Sequence, residues 1–488
     1  MLLSSTTMIA NYSDSVFLCS RYNSQDKGAS DNEVTFPRTP GQIDRDRILY
    51  SGHFLRLAEV TQTVSPVHGY VFHNRLSHSL KVAHVARRLC ERLKQRYESD
   101  TNLGPVVRTL DPDVCEAVGL AHALGHPPFG HCAETELNDK LASKSALGNE
   151  WGLEDAFEGN AQSFRIVCRL AGTHLPGVPT SSLGLNLTRQ TLRGILKYPH
   201  FHRQDEFHPD KWGVYEEDRE FLDFAREGLT GIRPSLEAEI MDWADDVTFA
   251  VHDLLDFYAS GNIPLYFFLP QLRKIIKGEV DTDERRKFVE DVVGNPKLQR
   301  LVARCYKYCC GRTDHQDAVA SVNCVLDTIF EKHLQHLDSR YTSTANQRRK
   351  IGRITFEMIE ECLGAFQLKY DPERTDGLGP WRVEKTHSIE NEIDLLKQFT
   401  WHYIIRGQQL QSDQIGQRKA IATVFNSYMQ AIRDGKDLYM FPWHIREELN
   451  SLRTSGKTRL IVDYVSSMSE PELLTIYRQM IADNGYRH

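Results

Sequence analysis

Residues 120–131 read LAHALGHPPFGH. Three histidines, two prolines and two glycines share twelve positions. The stretch decides how the chain around it folds. Upstream, DPDVCEAVGLAHAL (111–124) begins with an Asp-Pro cap signal and runs apolar at helical spacing until Gly125 stops it. His122 therefore falls in the last turn of a helix. The two prolines hold the connection that follows in a rigid turn, after which His131 and Glu134 stand three residues apart. Imidazoles titrate near neutrality and bind metals, so their clustering points to metal or proton-transfer chemistry.

Working outward, the same periodicity recurs on both sides. In HSLKVAHVARRLCERL (78–93), Leu80, Ala83, Val85, Ala86 and Leu89 mark an apolar stripe beside a basic face. SLEAEIMDWADDVTFAVHDLLDF (235–257) predicts a third amphipathic helix, with Ser235 as N-cap and Glu237 and Glu239 in its first turn. Strand-like alternation is scarce and short. An aromatic, charged stretch, FHRQDEFHPDKWGVYEEDREF (201–221), reads as an insertion, and helical segments resume from about residue 265. The expected class is all-α. Residues 1–40 read as a flexible tail, 41–260 as the core that carries the chemistry, and 261–488 as a helical part that completes the pocket and oligomer contacts.

Of 488 residues, 40% are hydrophobic and 26% charged, the balance of a globular protein. A formal net charge of −7 argues against a dedicated nucleic-acid binder. No run approaches the ~20 apolar residues that span a bilayer. The opening MLLSSTTMIANYSDS lacks the basic and apolar regions of a secretory leader, so a cytoplasmic protein is expected. Ten cysteines are scattered without paired metal spacing. The closest group, Cys305, Cys309 and Cys310, has no histidine partners in register, and reduced thiols are the expected state.

Three predicted helices each offer one ligand: His78, His122 and Asp245. Imidazoles and carboxylates from separate helices can hold a divalent cation in a bundle core. Such a cation polarises phosphoryl oxygens and acidifies bound water. Singly, each of the 20 histidines has an ordinary structural explanation; together and in this order, the three point to a site.

RLSHSLKVA (75–83), HALGHPPFGHCAE (122–134), FEGNAQSFRI (157–166), GLNLTRQTLRGILKYP (184–199) and IMDWADDVTFAVHD (240–253) together resemble the dGTP triphosphohydrolases of the HD superfamily. The resemblance begins near DRDRILYSGHFLRLAEVTQTV (44–64) and returns in RLIVDYVSSMSEPELLTIY (459–477). It implies an HD-type helical bundle with peripheral helices, which cleaves a deoxynucleoside triphosphate, dGTP by default, to deoxynucleoside and intact triphosphate. The family holds its metal (magnesium or manganese, or iron) with a His, an adjacent His-Asp pair and a distal Asp. These map to His78, His122, position 123 and Asp245. Position 123 is alanine here, so weakened metal binding and little turnover are expected. An engineered inactivating exchange is the preferred explanation for Ala123, and a naturally inactive paralogue the alternative.

The resemblance also assigns roles. His131 would protonate the leaving 5′ oxygen, Glu134 would orient it, and His126 would line the same pocket. Arg75, Lys197 and Tyr198 would face the phosphates. Phe249, where the family usually has tyrosine, and Asp253 share a helical face with Asp245, and Asp246 is the runner-up ligand. Asn160 and Gln162 would support the pocket or a structural network. Arg45 and Arg47 either reach nucleotide phosphates or form ordinary ion pairs. A homo-oligomer of four or six copies, regulated in some members by a second nucleotide or single-stranded DNA, is implied too. The rival readings are another HD phosphohydrolase, and a non-catalytic nucleotide sensor or scaffold.

Overall fold

The computed structural model describes residues 15–23, 38–63, 73–142, 153–172, 184–206, 208–263, 265–266, 333–374, 376–405 and 407–483. Cys305, Cys309 and Cys310 lie outside them. Helices dominate these residues: α1 (Pro40–Leu49), α2 (Arg75–Tyr97), α3 (Pro112–Ala121), α4 (His131–Ala142), α5 (Gly159–Arg165), α6 (Arg189–Ile195), α7 (Leu236–Thr248), α8 (Ala345–Gly364), α9 (His387–Thr400), α10 (Gln408–Asp434), α11 (Thr454–Ser466) and α12 (Glu470–Asp483). One antiparallel hairpin, β1 (Phe366–Tyr370) with β2 (Trp381–Lys385), pairs Phe366 with Lys385 and Tyr370 with Trp381. The all-α expectation holds.

Local chemistry sets the helix ends. Asn74 caps α2 by accepting from the Ser77 N–H at 2.9 Å, while the Ser77 hydroxyl accepts from the Asn74 N–H at 3.1 Å. Asp111 accepts from the Asp113 N–H at 2.8 Å to start α3, and Ser235 caps α7. The α2 stripe is Val82, Ala83, Val85, Ala86, Leu89, Cys90 and Leu93. Leu80, expected in it, is 43% exposed. At 100° per residue it sits roughly 140° from the centre of that stripe, too far round to reach the core.

Helices α2, α3 and α7 pack together, with α1 and α6 against α3. Gly119 lets α2 and α3 cross closely, since a Cβ there would lie 2.5 Å from the Ala83 Cα. A second core joins α4 to α10, α11 and α12. The 201–221 stretch, expected as an insertion, buries Trp212 and Tyr215 in that second core. Of the expected tail, residues 15–23 dock onto the fold: Arg21 pairs with Asp44 at 2.6 Å, and Arg189 stacks over Phe17. Charge also joins the cores. The Arg165 guanidinium bonds Asp463 on α11 at 2.9 Å and Asp218 at 3.1 Å.

The α3–α4 connection is held from afar. Phe129 and Gly130 both take positive φ, 69° and 58°. Glu470, at the start of α12, accepts from the Phe129 N–H at 3.1 Å and from the Thr61 hydroxyl at 2.9 Å. Gly125 allows the chain to press on α5: a Cβ there would lie 2.2 Å from the Gly159 carbonyl oxygen and 2.3 Å from the Ser163 nitrogen. Gly125→Ala should therefore cost at least about 1–3 kcal/mol, read as a lower urea midpoint. Gly52→Ala, where an added Cβ meets nothing within 4 Å, should leave the midpoint unchanged.

Candidate active site

The N-terminal turn of α2, the end of α3 and the last turn of α7 bring His78, His122 and Asp245 together, their ligand atoms all within 4.8 Å of one another. His78 Nε2 lies 2.9 Å and His122 Nε2 3.8 Å from Asp245 Oδ1. The Nδ1–H of His122 donates to the Gly119 carbonyl at 2.6 Å. That bond selects the tautomer whose Nε2 lone pair faces the carboxylate. Burial, with the neighbouring His78, lowers the His122 imidazole to about 4, so it stays neutral and ready to donate. Burial would raise the Asp245 carboxyl, but the His78 hydrogen bond, with His122 and Lys197 close by, holds it well below the usual range. Two imidazoles and one carboxylate, converging on one point, fit a divalent cation with open positions. Ala123, fully buried next to His122, adds no side-chain donor.

A cavity of about 520 Å³ opens from this cluster, lined by His126, His131, Arg75, Asn160, Lys197, Tyr198 and Phe249 among others. His131 opens α4 with its side chain 74% exposed, and its Nδ1 lies 2.8 Å from Glu134 Oε2. Glu134 is buried and also accepts from the Gly159 N–H at 3.1 Å. Burial alone would raise this carboxyl; the His131 bond and Lys211 hold it well below its ordinary value. The His126 ring sits 5.0 Å from that of His131, and burial beside Arg75 depresses its pKa strongly. Arg75 is buried, lowered to about 10 by desolvation, and donates from Nη2 to the Gln62 carbonyl at 3.1 Å. Its Nε has no hydrogen-bond partner among the described residues. An unpaired guanidinium N–H in a cavity wall suits an oxyanion.

Lys197 is not simply solvated: it pairs with Asp242 of α7. Asp246 pairs with Lys397 of α9 at 2.7 Å instead of joining the ligand cluster. After Thr248 the helix widens into a π-turn, Phe249–Asp253. Asp253, at the end of that turn, is buried near His78, Asp245 and Arg75, and its carboxylate accepts from the Thr63 hydroxyl at 2.8 Å. Asn160 lines the cavity, whereas Gln162 is buried in the structural network, donating to Asp463 at 2.9 Å. Arg45 and Arg47 take the ordinary alternative. Arg45 pairs with Asp113 at 3.3 Å, and Arg47 bonds the carbonyls of Leu185 and Asn186.

Sequence reasoning missed Gln62, Thr63, Lys211 and Lys397, all of which line the cavity. Lys211, 2.9 Å from Glu158, lay inside the stretch taken for an insertion. Lys397 comes from a helix far along the chain, with no local signal. A larger cavity of about 600 Å³, beside α1 and His53, lacks this convergence of donors.

Two family models match this chain. The family described as HD domain matches residues 75–250, and the one described as Phosphohydrolase-associated domain matches 383–479. A Deoxyguanosinetriphosphate triphosphohydrolase-like protein of Corynebacterium efficiens is 30% identical over 91% of each chain. One from Streptomyces coelicolor is 29% identical over 91% of this chain and 93% of its own length. One from Corynebacterium glutamicum strain R is 40% identical over 46% of each chain.

The buried histidines set a pH dependence. A folded-state pKa below the unfolded value means the unfolded chain takes the proton first, so His122 stability is present above pH ~6.5 and lost toward pH 4. Asp245 and Glu134 contribute losses only below their ordinary carboxyl range. Urea denaturation should show stability falling between pH 6.5 and 4, by about 3 kcal/mol from His122 alone. The slope should be shallower in His122→Gln.

Proposed function

The chain belongs to the deoxyguanosinetriphosphate triphosphohydrolase-like family of HD-domain phosphohydrolases, and from that premise we propose that it is a dNTP triphosphohydrolase disabled at position 123. One observation carries the reading. His78, His122 and Asp245 converge in a cavity that also holds the His131–Glu134 pair and four cationic side chains, Arg75, Lys197, Lys211 and Lys397. Hydrolysis needs a proton for the departing 5′ oxygen as water adds to the α-phosphorus and the P–O5′ bond breaks. His131 supplies that proton. Its Nδ1–H donates to Glu134, whose low pKa keeps it a carboxylate that stabilises the imidazolium and leaves Nε2 to face the substrate.

Arg75 and the three lysines offset the triphosphate charge and orient it, with Arg75 Nε donating to a phosphate oxygen. His78, His122 and Asp245 would hold a divalent cation (magnesium, manganese or iron), which when bound polarises the phosphoryl group and lowers the pKa of water. With one carboxylate in place of two, the cation is held at least about 10–100-fold more weakly. Phe249 contributes a ring but no hydroxyl to substrate. Assembly into four or six copies, and a regulatory nucleotide or single-stranded DNA, belong to the same reading.

This chain and an Ala123→Asp version, each incubated with the four dNTPs and Mn²⁺ or Mg²⁺, test it by ion-exchange separation of products. Deoxynucleoside and intact triphosphate should form with the restored aspartate alone, and the fastest dNTP gives the base preference. Adding His131→Asn to Ala123→Asp should then lower the rate by about 10²–10⁴-fold. Nucleotide binding without turnover in both versions would favour the sensor reading, to which Ala123 and Phe249 both lend support.

A further inference from the structure

Outside this site, one further cluster among the described residues combines an imidazole with two carboxylates. His333, just before a short 3₁₀ turn, points Nε2 at Glu361 Oε2 of α8, 3.1 Å away, and at Glu392 Oε1 of α9, 3.2 Å away. The three ligand atoms lie within 4.8 Å of one another. The His333 and Glu392 side chains are 2% and 3% exposed, and Glu361 is 35% exposed. Two sides of the cluster are therefore dry, and the third gives an ion a path in.

We propose that His333, Glu361 and Glu392 form a second divalent-cation site, of the zinc or manganese class, that clamps α8 to α9. Both carboxylate oxygens face the same ring nitrogen. A cation beyond Nε2 would accept a lone pair from all three donors. The spacing agrees: metal–ligand bonds of about 2.0–2.2 Å set neighbouring tetrahedral donors roughly 3.3 Å apart. Glu361 also sits in the last turn of α8, at the negative end of the helix dipole, where a carboxylate is disfavoured and a cation favoured. One imidazole and two carboxylates suit zinc or manganese, with a remaining position for water. The clamp has a consequence for the cavity, because α9 also carries Lys397.

The test uses the full chain with His78→Ala and His122→Ala, which removes the first cluster. After chelator treatment, Zn²⁺ and Mn²⁺ are titrated by calorimetry and bound metal is counted by mass spectrometry. One equivalent should bind, raising the melting temperature. Glu392→Gln should weaken it at least about 10-fold, while Glu357→Gln, exposed on the same α8, should not. Absence of binding, or binding indifferent to Glu392→Gln, overturns the proposal. If Glu392→Gln fails to fold, zinc-loaded crystals of the unmutated chain decide. An anomalous peak among His333, Glu361 and Glu392 supports the site, and peaks only elsewhere or none overturn it.

Discussion

Helix α3 ends on His122, and the Nδ1–H of that residue is committed to the Gly119 carbonyl 2.6 Å away. This bond leaves Nε2 with one direction to face, toward His78 and Asp245. Three helices must therefore arrive at one point, and each arrives by ordinary means. An Asp-Pro cap starts α3, an Asn-Ser capping box starts α2, and Ser235 starts α7. The absence of a side chain at Gly119 brings α2 and α3 close enough for His78 and His122 to meet.

Past His122 the chain turns through Pro127, Pro128, Phe129 and Gly130 and delivers His131 to the opposite edge of the cavity. Two consecutive positive φ angles make this turn costly for Phe129, and it holds because Glu470 fixes it from α12. The metal-type donors belong to α2, α3 and α7, whereas the proton-transfer pair sits on α4, which packs into the second core with α10. The C-terminal helices are thus part of the site. Their attachment runs through buried ion pairs, Arg165 with Asp463 and Arg459 with Asp155.

What was legible in the sequence follows from range. His78, His122 and Asp245 could be picked out together because periodicity and caps place each on a helix of one bundle, whereas the roles of His131 and Glu134 came from the resemblance of HPPFGHCAE to a known family. The helical class was readable from the same periodicity. Lys211 and Lys397 were not, since nothing local distinguishes a lysine over a cavity from one in water. Leu80 was misplaced by counting spacing without angle. Arg45 and Arg47 show the reverse, as their charge invited a ligand while protein carboxylates and carbonyls already engage them.

The chemistry of the cavity turns on what one missing carboxylate does to a site built from His78, His122 and Asp245. Mn²⁺ affinity, followed by electron paramagnetic resonance for this chain and for Ala123→Asp, measures it directly, with His333→Ala in both to silence the second cluster. The account predicts binding tighter by at least about 10–100-fold when the aspartate is restored. Equal affinity in the two chains would contradict it, placing the metal, and the chemistry built on it, elsewhere.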